Sequence, residues 1–171
     1  MRAIAPELEE GKRVLVAGIG NIFLGDDGFG VEVARRLAQT SLGAHVQVAD
    51  FGIRGIHLAY ELADGRYDAA ILVDAVSRGG APGTLYAIDA DLNGAEAVDE
   101  GADPHGLTPD AVLAWLRRVG CRLERVVVVG CEPAVVEESM GLSAPVAASV
   151  DGAIEMIGDL VRQISGAASC A

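Results

Sequence analysis

The signatures that most directly announce a chemistry are absent from this chain. There is no H-E-x-x-H of the common zinc proteases, no G-x-S-x-G of a serine hydrolase, and no G-x-x-x-x-G-K-[ST] phosphate loop. A dinucleotide fingerprint begins at Gly18-Ile19-Gly20 but meets Phe23 where its third glycine belongs. Two acids, Asp26 and Asp27, open the segment that follows and would repel a pyrophosphate, so no nucleotide is expected. Basic residues are scarce: 13 Lys and Arg stand against 25 Asp and Glu, a net charge of -12. That excludes the basic stripe a nucleic-acid partner requires and disfavours an anionic membrane surface. It favours a basic partner segment instead.

Cysteine is also scarce. Cys121, Cys131 and Cys170 make an odd number with no C-x-x-C pair, which argues for a reducing compartment and against a zinc ribbon or disulfide framework. Cys121 and Cys131 flank a strand and read as buried spectators, while Cys170 lies in a small-residue tail and is expected to be exposed. No apolar run approaches the ~20 residues of a membrane span. The opening MRAIAPELEE lacks the apolar stretch of a signal peptide, so a cytoplasmic protein is expected.

What the chain does have is apolar residue: 51% over 171 residues, enough for one core in one domain. The expected organisation is a lead-in over 1–12, a single α/β domain over 13–165 and a tail over 166–171. Short β-branched or apolar runs at 13–17, 69–73 and 125–129 read as buried strands, with further strands at 45–49 and 84–88. Helical spacing predicts helices over 27–39, 56–62, 108–119 and 143–164. Asp26 or Asp27 is a natural N-cap for the first, and Thr108-Pro109 opens the third. The turn at Ala81-Pro82-Gly83 leaves too short a link for a crossover, so strand four is expected to be antiparallel at an edge. The order predicts a three-layer α/β/α sandwich around a mostly parallel, twisted five-stranded sheet. The stretch 89–104 reads as a long loop.

In such sheets ligands gather beyond the carboxyl ends of the strands, where strand order reverses. Acids lie at the ends of strands one and three: Asp26-Asp27 in one loop and Asp74 at the other strand's end. Asp74 reads either as a cap for the turn toward Val76 and Ser77 or as a functional carboxylate. One of the Asp pair is expected to cap the helix, leaving the other free to face the crevice; the residues do not say which. His45 and His57 read as packing or surface residues. His105, in the turn Asp103-Pro104-His105-Gly106, is the histidine best placed to be a ligand. Two carboxylates and an imidazole suit a borderline divalent metal such as nickel, zinc or manganese.

The run Gly18 to Val31 closely resembles the N-terminal signature of the hydrogenase maturation proteases. The resemblance continues through Leu72-Val73-Asp74-Ala75, Pro82-Gly83-Thr84, Pro104-His105, Gly130-Cys131-Glu132-Pro133 and Gly141-Leu142-Ser143. It implies a cytoplasmic endopeptidase that removes the C-terminal extension of a [NiFe] hydrogenase large-subunit precursor after nickel insertion. The nickel would be supplied by the substrate, and Asp27, Asp74 and His105 would bind it. Asp27 stands where the family often has Glu. The segment Asp50-Phe51-Gly52-Ile53 matches a stretch associated with substrate choice, with Ile53 in place of Thr, and marks Asp50 and Gly52 as recognition residues. A monomer is expected. The competing readings are a non-catalytic nickel-binding maturation chaperone using the same ligands and a nucleotide-binding regulatory domain.

Overall fold

A computed structural model describes residues 11–92 and 108–166. Five strands, β1 (Val14–Ile19), β2 (Val46–Gly52), β3 (Ala69–Ala75), β4 (Leu85–Ala90) and β5 (Arg125–Cys131), form one sheet in the order β2-β1-β3-β5-β4. The β1–β2, β1–β3 and β3–β5 pairs are parallel, and β4 is antiparallel to β5 at the edge. The helices are α1 (Phe29–Leu37), α2 (Gly55–Ala63), α3 (Pro109–Arg118) and α4 (Ala144–Gly166). None is long and apolar enough to cross a membrane among the described residues.

Alternation along the strands creates two cores. Val14 and Val16 of β1, with Ile71 and Val73 of β3, pack against α1 and α4. Leu15, Ala17 and Ile19, with Ala70 and Leu72, pack against α2 and α3 on the other face. Covering both faces is what lets β1, β3 and β5 be apolar at nearly every position, Asp74 and Arg125 excepted. This is the three-layer sandwich that the sequence predicts, with β1 and β3 side by side.

Several boundaries differ from expectation. Strand β3 runs through Asp74 to Ala75, and β5 runs to Cys131, because Asp74 pairs with Gly130 and Ala75 with Cys131. Helix α1 starts at Phe29 because Gly25–Gly28 wind as a 3-10 turn first, and its N-cap, Gly28, offers no side chain. The expectation that Asp26 or Asp27 caps this helix is therefore corrected: both carboxylates are engaged elsewhere. Thr108 does cap α3, accepting from the amide of Ala111 at 3.3 Å. Cys131 is buried and Cys121 half-buried, both as free thiols. The expected long loop lies outside the described residues from 93 onward, as do Cys170, most of the lead-in and most of the tail.

Helix α1 sits unusually close to the sheet. A Cβ on Gly30 would fall 2.0 Å from the carbonyl oxygen of Val73 and 2.4 Å from that of Ile19. One on Gly18 would fall 2.2 Å from the carbonyl oxygen of Gly30. The obstructing atoms are strand and helix backbone, which cannot turn aside as a side chain would. Gly30→Ala should destabilise the fold by about 3 kcal/mol. A lowered urea midpoint with an unchanged slope checks this, and a midpoint equal to the parent's would contradict the packing.

Candidate active site

The loops after β1, β2, β3 and β5 meet at the carboxyl edge of the sheet. The loop after β1 is shaped by Gly20, whose φ of +131° is a conformation that side-chain-bearing residues rarely adopt. Its amide donates to the carbonyl of Gly52 at 3.1 Å, tying this loop to the end of β2. A Cβ on Gly20 would lie 1.8 Å from the carbonyl oxygen of Asp27 and 3.4 Å from Oδ1 of Asp74. The bare backbone of Gly20 thus lies between these two acids and lets them approach.

Asp27 is half-buried, and its Oδ2 accepts from the amide of Asn21 at 2.7 Å. Asn21 in turn accepts from the amide of Phe23 at 3.0 Å, closing a small turn that fixes the acid's direction. Asp74 is only 3% exposed. Its Oδ1 accepts from the following amide, Ala75, at 2.8 Å, while no ion pair reaches it among the described residues. Burial, reinforced by the charge of Asp27, pushes the Asp74 carboxyl well above its ordinary range; the Ala75 amide opposes this only in part. The turn-cap alternative for Asp74 finds no support, since neither Val76 nor Ser77 donates to it: the Val76 amide goes to Cys131.

Asp26 plays a different part. It is fully buried, and four donors converge on it: the amides of Ala134 (2.8 Å), Val135 (2.9 Å) and Ser143 (2.7 Å), and the Ser143 hydroxyl (2.9 Å). Burial alone would raise its carboxyl, but the Ser143, Val135 and Ala134 amides and the Ser143 hydroxyl together hold it below the ordinary value. Backbone bonds run alongside, from Gly25 to Ser139 and from Asp26 to Val135, both at 2.9 Å. The acid-bearing loop and the loop after β5 are therefore one unit. This role was not legible beforehand; the signal was the doubled acid itself, with one more carboxylate than the helix could use. Glu132 is a second buried carboxylate that sequence reasoning left without a task. It accepts from the amides of Arg78 (2.8 Å) and Gly79 (3.2 Å) and from the Tyr86 hydroxyl (2.8 Å), pinning the β3–β4 turn beside the site.

Of the anticipated residues, the structure brings Asp27 and Asp74 together. His105 lies outside the described residues. Asp50 and Gly52 end β2 beside the same loop, with Asp50 paired to Arg35 at 3.2 Å. His45 bonds Ser165 at 2.8 Å, and His57 is exposed on α2. Among the described residues no three His, Cys, Asp or Glu side chains form a group that could hold a metal. Asp27 and Asp74 are two carboxylates of the type that, with an imidazole, could make a mixed oxygen and nitrogen set for a borderline divalent cation.

Comparison with known proteins places this geometry in context. A family model described as HycI, hydrogenase maturation protease, matches residues 31–160. The hydrogenase 2 maturation protease of Escherichia coli is 33% identical over 153 residues, 88% of this chain and 92% of that one. The hydrogenase expression/formation protein HupD of Rhodobacter capsulatus is 36% identical over 156 residues, 90% of this chain and 71% of that one. Among solved structures, the hydrogenase maturating endopeptidase HybD from E. coli superposes with a TM-score of 0.71 at 28% identity, covering 88% of this chain and 93% of that one. The hydrogenase 2 maturation peptidase from a Thaumarchaeota archaeon does so with a TM-score of 0.68 at 33% identity, covering 88% and 98%.

Asp26 and Asp74 should respond to substitution in opposite directions. Asp26→Ala strands three amides and a hydroxyl and should cost about 3 kcal/mol, read as a lowered denaturation midpoint. For Asp74 the folded state favours the protonated form, while the unfolded chain ionises near its ordinary value of 3.8. Stability is thus intact below that value and is lost as pH rises through the folded pKa. Asp74→Asn removes the loss and should raise the melting temperature by about 2–4 °C at about pH 8. Near pH 4 and below, the two proteins should converge, within roughly a degree. A variant less stable than the parent at alkaline pH would contradict the assignment.

Proposed function

This chain belongs to the hydrogenase maturation protease family, and from that premise we propose that it cuts the C-terminal extension from a nickel-loaded [NiFe] hydrogenase large-subunit precursor. The nickel arrives as part of the substrate. Asp27, Asp74 and His105 are the residues that take hold of it, and Asp50 and Gly52 border the place where the precursor is chosen.

The observation that carries this reading is the pair of carboxylates around Gly20, with Asp74 almost fully buried and no cation paired to it among the described residues. An acid pair of that kind is costly unless it shares a proton or meets a cation. A divalent ion brought to it stabilises both acids as anions and displaces the proton that burial favours on Asp74. The Asn21 amide keeps Asp27 aimed while this happens. The chemistry such an ion supplies is Lewis-acid polarisation of the neighbouring scissile carbonyl or activation of a water. Cleavage that requires the substrate's own nickel then acts as a check that insertion is complete.

The decisive experiment incubates the chain with a large-subunit precursor prepared with and without nickel, read by intact mass. The expected result is loss of the C-terminal extension from the nickel-loaded form alone, abolished by Asp74→Ala and by His105→Ala in folded protein. Equal cutting of both forms, or normal processing by either variant, would overturn the reading. Tight nickel binding by the chain itself with the precursor left intact would favour the non-catalytic carrier instead.

A further inference from the structure

Large apolar side chains are not spread evenly over this surface. Eight are well exposed among the described residues. Six of them, Phe23, Ile53, Ile56, Val135, Val136 and Met140, stand in the loops after β1 and β5 or where β2 gives way to α2. Those are the segments that surround Asp27 and Asp74. The remaining two lie elsewhere: Tyr60 packs edge-on to Trp115, and Val119 ends α3.

The exposure is not a by-product of loose chain. Phe23 (61% exposed) and Met140 (75%) belong to two segments joined by backbone bonds, Gly25 to Ser139 at 2.9 Å and Ser139 to Phe23 at 3.1 Å. The same segments are held by the four bonds on Asp26. Met140 also borders, with Ile22 and Leu142, a groove of about 330 Å³ running toward α1. A monomeric surface rarely concentrates apolar groups on one rigid edge unless something covers them.

The charges at that edge indicate what covers them. Glu137 and Glu138 are exposed within the apolar run, and no ion pair reaches them, Asp27 or Asp74 among the described residues. Of the nearby arginines, Arg35 is paired with Asp50, while Arg54, which donates to the carbonyls of Phe51 and Asp50, and Arg78 keep their charge against Asp27, Glu137, Glu138 and the buried Asp74. The edge is apolar and acidic together, and its complement is a segment that is apolar and basic together.

We propose that this apolar collar is the docking surface for the large-subunit precursor, and that it grips an apolar, basic segment of it. The proposal rests on the function given above. The collar supplies affinity and placement, and the acids at its centre supply the chemistry. Binding should therefore be separable from cutting.

The test uses the full chain and the large-subunit precursor of the same organism, with affinity measured by interferometry and cutting by intact mass. Phe23→Ser with Met140→Ser should weaken binding about tenfold and raise KM while leaving kcat and the melting temperature unchanged. Met140→Leu should retain affinity. Glu137→Gln with Glu138→Gln should flatten the salt dependence of binding. Val119→Ser, at the far end of the molecule, should change nothing. If the parent cuts the precursor and the Phe23 and Met140 variant binds as tightly as it does, the collar is not the docking surface, whereas the protease reading stands. If the parent binds through the collar but leaves the precursor whole, docking stands and the protease reading falls. If it neither binds nor cuts, both fall.

Discussion

A single buried carboxylate joins the loop after β1 to the loop after β5. Asp26 comes seven residues after the first strand closes, and its four donors come from a segment 108 to 117 residues further on. Hydrogen bonds to an ionised acceptor in a dry setting are among the stronger polar contacts in proteins, and each unmade one is expensive. The arrangement fixes where the loop after β1 can be, and therefore where the next residue, Asp27, points. It also fixes the loop after β5, and with it the apolar rim. One acid is sacrificed to architecture so that its neighbour can be offered outward.

Asp74 stands at the opposite pole of the same economy. Asp26 is buried among donors that favour its charge, while Asp74 is buried beside another acid that disfavours it. Nothing in the needs of the fold calls for a carboxylate there, since an amide would fill the same space in β3. Such a residue is maintained at the expense of stability, the pattern expected where a group is poised for a ligand rather than for packing. The close approach of α1 to the sheet through Gly18 and Gly30 serves the same end, bringing the acid-bearing turn down onto the ends of β1 and β3.

The layers of this fold were legible because their signals are local. The runs in β1, β3 and β5 are apolar at nearly every position, and α4 repeats its apolar face from Val146 to Ile164, so each declares itself within a short window. The antiparallel edge followed from the short link at Pro82, whereas the full strand order was not read from the sequence. The ends of elements were less legible. Strand β2 extends three residues beyond its apolar stretch because backbone pairing with β1 continues through Asp50 and Gly52, whose side chains give no sign of it. The 3-10 turn before α1 hides behind glycines that any turn could use. Within the site, the meeting of the Asp26-Asp27 pair with Asp74 could be argued from topology, while the choice of Asp27 came from the family resemblance. The partners of Asp26 could not, because hydrogen bonds spanning more than a hundred residues leave no mark on spacing or composition. Ser143 read as the opening of a helix, and it does precede α4, yet its hydroxyl serves Asp26.

Gly20 imposes a division on how a lineage of such proteins can diversify. With an acid's backbone on one side and an acid's side chain on the other, the position has no room for even a methyl group, and the floor of the cleft cannot be remodelled from there. Solvent-facing positions such as Phe23, Ile53 and Met140 carry no comparable restriction. Mutational drift is thereby channelled to the perimeter, where a new residue can change the outer surface without disturbing the acids beneath it.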